Sequence, residues 1–215
     1  GFSFRHRHPE LLSISIDAYM RLDLFDYSEL FYYSDVVKSI FKLPLDSKPA
    51  KITKFEISDR IKQFFAMGKI EQGQTVVINP YANSCSEVPM SFFQLISARL
   101  TSLGFHVVTS AIGEQEPLAG TTGIDFQLTE AVDFCEKCGY VIGQRSGFMD
   151  LIAFSKANII CIDAVSYPHS EMFRLERCWP QNPNIMTARY GAEEDDKLID
   201  SIIETIIRWR GARNL

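Results

Sequence analysis

Thr75-Val76-Val77-Ile78 is a run of four β-branched residues halted by Asn79-Pro80. A run this apolar and this short reads as a strand buried on both faces, with a loop at its end. The rhythm then changes: Phe92, Ile96, Arg99, Leu100 and Leu103 recur at helical spacing until Gly104 stops them. Phe105-His106-Val107-Val108-Thr109 is a second strand. Strand, helix and strand in this order predict a right-handed βαβ unit and a parallel sheet covered on both faces.

The alternation continues downstream. Ile124-Asp125-Phe126 reads as a short third strand, and Thr129 as the N-cap of a helix over Glu130 to Lys137 that ends near Gly139. Tyr140-Val141-Ile142-Gly143 is the next strand, followed by a helix over Phe148 to Lys156 and the strand Asn158-Ile159-Ile160-Cys161-Ile162. Asn184-Ile185-Met186-Thr187 fits an edge strand. The last helix spans about Glu193 to Trp209, with Leu198, Ile202, Ile206 and Trp209 on one stripe. Its acidic first turn and its Arg208 and Arg210 oppose the helix dipole at both ends. The expected fold class is α/β: a Rossmann-like parallel sheet flanked by helices.

Upstream, Ile57, Ile61, Phe64 and Phe65 share the face of a helix over Glu56 to Met67. Residues 10 to 45 are rich in aromatics and read as short helices, Asp35 to Phe41 the clearest, with a linker-like Asp46-Ser47-Lys48-Pro49 behind. The opening Gly1-Phe2-Ser3-Phe4-Arg5 carries no signal-peptide pattern, and the chain is expected to be an excerpt of a longer protein.

Composition narrows the function classes. The 215 residues are 46% hydrophobic and 23% charged, an ordinary globular balance. A net charge of −5 offers no electrostatic footprint for nucleic acid. No apolar run approaches the roughly 20 residues of a membrane-spanning helix. The cysteines, five in number and scattered through apolar segments, point to reduced thiols in a cytoplasmic protein.

In an open parallel sheet, ligands bind beyond the carboxyl ends of the strands. Three polar loops leave such ends: Asn79 to Glu87, Thr109 to Gly123 and Gly143 to Asp150. The third is the sharpest feature. Ser146 and Gly147 fall at a helix start, where unpaired amides favour an anion, and Arg145 supplies a guanidinium fork. A plain serine cap with a solvent-facing arginine accounts for the same spacing. In the first loop, Asn79, Asn83 and Ser84 offer donors to a phosphate or hydroxyl, while Ser84 and Glu87 equally make a capping box before a helix that begins near Pro89.

Other chemistries lack support. No Gly-x-Gly-x-x-Gly or P-loop pattern occurs, and Gly143-Gln144-Arg145-Ser146-Gly147 misses the nucleophile elbow by one position. His106 lies within a strand, and His169 has no acidic partner by sequence. Cys135-Glu136-Lys137-Cys138 stands alone, without the second pair a zinc site needs. No metal site and no cofactor is expected.

As a set, the loops resemble the C-terminal, donor-binding half of GT-B type glycosyltransferases, nearest the ADP-heptose lipopolysaccharide heptosyltransferase group. The likeness covers residues 75 to 165. That group has a strand ending in a Pro-containing loop of small and hydroxyl residues, matched by Asn79-Pro80-Tyr81-Ala82-Asn83-Ser84. It also has an Asp-Ser-Gly-x-x-His turn, against Arg145-Ser146-Gly147-Phe148-Met149-Asp150 here. Arg145 thus replaces the family's Asp and Asp150 its His, so heptose itself is not carried over.

The resemblance implies transfer of a sugar from a nucleotide-sugar donor to a glycan or other acceptor. It puts Ser146, Gly147 and Ser84 near the diphosphate, with Asn79, Arg145 and Asp150 in the same site and Glu116 or Glu130 toward the sugar or ribose. It divides the chain into a tail of a largely missing N-terminal domain over residues 1–50 and a nucleotide-sugar-binding domain over 51–215. The missing half would hold the acceptor site, the catalytic base and any peripheral contact with the inner membrane face. The alternative from another class is a non-catalytic Rossmann-like interaction domain that binds a partner protein through its aromatic N-terminal region.

Overall fold

The computed structural model describes residues 55–82, 88–164, 174–192 and 194–213, with isolated positions between 38 and 48. The helices expected over residues 10 to 45 lie outside the described residues save for Lys38 and its neighbours at 42–44. Ser84, Asn83, Glu87 and His169 also lie outside them.

The elements, in chain order, are α1 (Asp59–Ala66), β1 (Thr75–Asn79), α2 (Met90–Ser102), β2 (His106–Ser110), β3 (Thr122–Ile124), α3 (Ala131–Cys138) and β4 (Gly139–Gln144). They continue with α4 (Gly147–Ile152), β5 (Asn158–Ala164), α5 (Leu175–Cys178), β6 (Ile185–Tyr190) and α6 (Asp195–Arg213). The six strands form one sheet in the order β3-β2-β1-β4-β5-β6, and every pairing is parallel. The strand order reverses between β1 and β4, which makes their carboxyl ends the topological switch point.

β1 and β5 are buried at every position, as continuous apolar runs require between two helical layers. Successive side chains alternate between faces. Val76, Ile78, Tyr140, Ile142, Ile160 and Ile162 pack with Phe92, Ile96 and Leu100 of α2 and Leu198, Ile202 and Ile206 of α6. On the other face, Val77, Val141, Ile159 and Cys161 meet Ile61 of α1, Phe134 and Cys135 of α3 and Met149 and Ile152 of α4. Each such large apolar side chain contributes about 1.5–3 kcal/mol by leaving water.

Several boundaries differ from the sequence expectation. Leu103 is not on the buried face of α2 but 43% exposed beyond its end, and Phe93 with Ser97 completes that face instead. β3 comes two residues early, because Thr121 is tied to Thr109 and Leu118 and starts the strand there; Phe126 then leaves the sheet to pack on Phe134. The N-cap position of α3 is held by Glu130 rather than Thr129, without a side-chain cap hydrogen bond. α4 stops at Ile152, since Asn182 binds the carbonyls of Ala153 and Ser155 in the following turn. The four-residue α5 carried no sequence signal. Gly139, at φ 105°, ends α3 and opens β4 in a conformation that favours glycine. Cys135, Cys138, Cys161 and Cys178 are all free and buried, and burial pushes each thiol upward.

Candidate functional site

Asn79 and Gly143 are register partners at the carboxyl ends of β1 and β4, at the switch point itself. They approach so closely that a Cβ on Gly143 would lie 3.1 Å from the Asn79 carbonyl oxygen and 2.7 Å from Met149 Sδ. Asn79 is buried, and its Nδ2 donates weakly to the Tyr81 carbonyl at 3.4 Å. The Tyr81 hydroxyl donates to the Glu116 carbonyl at 2.5 Å, tying the loop after β1 to the loop after β2. That second loop is also held from α2, where the Gln94 amide exchanges two hydrogen bonds of 2.9 Å with the Ala119 backbone. Glu116 itself is exposed on this pinned loop.

The turn from β4 into α4 is held from three sides. The Arg145 amide donates to the Ile162 carbonyl at 2.9 Å, and its guanidinium forks onto Asp150 at 2.8 and 2.9 Å. Its Nη1 also reaches the Ser146 carbonyl, at 3.1 Å. The Trp179 indole donates to the other side of the clamp, at 3.4 Å from Asp150 Oδ1. Burial alone would weaken the charge on Arg145, whose side chain is 14% exposed; the hydrogen bonds and charge of Asp150 reverse that and hold it protonated above its usual range.

Inside this clamp, Ser146 is the N-cap of α4 in extended conformation, yet its Oγ is buried without a hydrogen-bond partner and makes no cap bond. Gly147 is exposed, and nothing lies within 4 Å of where its Cβ would stand. The turn therefore combines a buried hydroxyl that lacks a partner with early helix amides and open space at Gly147, the components of an anion site.

Glu130 is engaged elsewhere. Its carboxylate accepts the Ser58 amide at 2.5 Å and the Gln127 amide at 3.1 Å, fastening the entry of α1 to the start of α3. Burial raises this carboxyl, but the hydrogen bonds from Ser58 and Gln127 and the charge of Arg60 outweigh it, so the net shift is downward. Asp133 takes the neighbouring Ile57 amide at 3.2 Å, beside a cleft of about 380 Å³ between α1 and α3.

Sequence reasoning did not single out the group beneath the turn. Asp163 at the end of β5 is 5% exposed, and burial pushes its carboxyl up to about 6 despite Arg145, Arg174 and Arg189 nearby. Its signal was present: an acid inside the apolar run Ile162-Asp163-Ala164, at the end of a strand buried on both faces. Trp179 and Tyr81, which brace the loops, carried no comparable signal.

A six-stranded parallel sheet of this order, flanked by helices and with its switch point between β1 and β4, defines a Rossmann-like α/β domain. Solved structures share that fold. The Escherichia coli ADP-heptose lipopolysaccharide heptosyltransferase II superposes at a TM-score of 0.56 and 15% identity, over 80% of this chain and 57% of that one. The E. coli heptosyltransferase WaaC with ADP gives 0.51 and 14%, over 76% and 52%. A family 9 glycosyl transferase from Veillonella parvula gives 0.50 and 14%, over 78% and 50%. At these identities the likeness is one of fold, as the resemblance in the loops implied, and the chain spans about half the length of these proteins. No protein-family model and no curated protein sequence matches it. Among the described residues, no helix is long and apolar enough to cross a membrane.

Proposed function

We propose that this chain is the donor-binding half of a glycosyltransferase that moves a sugar from a nucleotide-sugar to a glycan or similar acceptor. The observation that carries this reading is the Ser146–Gly147 turn: an unpartnered hydroxyl and an open glycine, clamped in place beside the switch point. In this reading the diphosphate sits on the Ser146 hydroxyl and the Gly147 backbone, next to Asn79. Arg145 and Asp150 position the turn, and the buried guanidinium adds positive potential as charge develops on the leaving diphosphate. Glu116, exposed on the loop after β2, is assigned in this reading to the sugar or ribose, and Ser84, outside the described residues, to the diphosphate. Residues 51–215 form this unit and residues 1–50 lead to it from a partner domain, which supplies the acceptor site and the catalytic base.

Titration calorimetry with UDP, GDP, ADP and CDP tests the proposal. At least one is expected to bind, and Gly147→Val is expected to weaken it at least tenfold while leaving the melting temperature almost unchanged, since a side chain there meets open space. Absence of binding by all four at millimolar concentration refutes it.

A further inference from the structure

The donor reading leaves Asp163 unused. This residue stands in register with Arg189 of β6, and immediately follows Ile162, whose carbonyl anchors the Arg145 amide. It therefore adjoins the turn that carries Ser146 and Gly147. Its Oδ2 is buried and has no hydrogen-bond partner.

The neighbouring charges do not complete it. Arg145 is forked onto Asp150, and Glu176 accepts the Thr187 hydroxyl. Arg145, Arg174 and Arg189 favour the ionised carboxylate from a distance, and Glu176 opposes it. A buried carboxylate oxygen without a donor is costly and uncommon in folded proteins. The group that completes it must itself be a donor. Three surrounding guanidinium groups disfavour a metal cation, and a carboxylate repels a phosphate oxygen. A neutral hydroxyl satisfies both constraints and is small enough for so confined a position, and carbohydrates carry hydroxyls in number.

We propose that Asp163 is a specificity-determining residue that accepts a hydroxyl of the sugar in the nucleotide-sugar donor, one strand away from the diphosphate turn. The inference rests on the donor reading above and deepens it. The test is calorimetric titration of the 215-residue chain, native and as Asp163→Asn and Asp163→Ala, with the four nucleoside diphosphates and with UDP-glucose, GDP-mannose, ADP-glucose and CDP-glucose. Asparagine keeps the shape and removes a buried charge, so that variant retains the fold, as a melting curve will verify.

The expected result is that a diphosphate which binds keeps its affinity within twofold in both variants, while its sugar conjugate loses at least tenfold. Equal changes in the two titrations, no change in either, or a native chain that takes a diphosphate and refuses all four conjugates overturns the inference and leaves the donor reading standing. A native chain that binds none of these probes overturns both.

Discussion

Gly143 occupies a position where a methyl group has two neighbours of different compliance. Met149 Sδ, 2.7 Å from the ideal Cβ, ends a flexible side chain and can swing aside; the Asn79 carbonyl oxygen at 3.1 Å and Asn79 Cβ at 3.2 Å belong to the adjacent central strand and cannot. Gly143→Ala is therefore expected to cost about 1–3 kcal/mol in urea denaturation, through a shift of β4 against β1. Asp163 gives a second residue-scale prediction, with a sign set by burial. Its folded carboxyl is held near 6 against an ordinary value of 3.8, so between those values the folded chain binds more protons than the unfolded one. The contribution is complete below about pH 4 and is lost as pH rises through 6, which amounts to about 3 kcal/mol. Arg145, Arg174, Arg189 and Glu176 face the group; the three arginines favour its ionised form and Glu176 opposes it, and burial outweighs them. The stability of Asp163→Asn relative to native should thus rise between pH 4 and pH 7; a constant difference across that range contradicts the burial of an unpartnered acid.

At the scale of elements, α4 is only six residues long and depends on its side-chain clamp more than on its own hydrogen bonds. The two halves of that clamp are unequally buried, Arg145 14% exposed and Asp150 39%. Removing the acid strands a charge that solvent reaches poorly; removing the arginine leaves a carboxylate that water can rehydrate. Asp150→Ala is expected to cost about 2–4 kcal/mol and Arg145→Ala about 1–2 kcal/mol, with a double-mutant coupling of about 1–2 kcal/mol. Equal single costs and no coupling would falsify the clamp.

The same element marks where sequence reading succeeds and where it fails. The buried strands β1, β4 and β5 were legible because two-sided burial demands unbroken apolar runs, and α6 because its stripe Leu198, Ile202, Ile206 is long. The end of α4 was not, because it is set by Asn182 from a distant turn. Among the candidate site residues, Ser146 and Gly147 were legible from local spacing as the start of a helix. The commitment of Arg145 to Asp150 and of Glu130 to Ser58 depends on which side chains meet across turns, and spacing alone left each of these residues as open to a ligand as to a neighbour.

For the whole molecule, the decisive fact is that the chain spans about half the length of the glycosyltransferases that share its fold. Binding a donor and transferring its sugar are separable demands. Binding needs only the carboxyl edge of one sheet, whereas rate acceleration needs groups that act on the transition state, including a base on the acceptor. Of the described carboxylates at this edge, Asp150 is engaged by Arg145 and Glu130 by backbone amides, Asp163 is assigned above to the donor sugar, and Glu116, exposed on its pinned loop, is assigned to the sugar or ribose rather than to the acceptor. The isolated 215-residue chain is therefore expected to bind a nucleotide-sugar without turning it over. Binding should be visible as thermal stabilisation, since a ligand at 100 times its Kd adds about 2.7 kcal/mol and raises the melting temperature of a chain this size by roughly 5–10 °C. Release of nucleoside diphosphate from the same donor, followed over hours, should stay at the rate seen without protein. Stabilisation with no release assigns the chemistry to a partner domain; release above that background would place a catalytic group within this half.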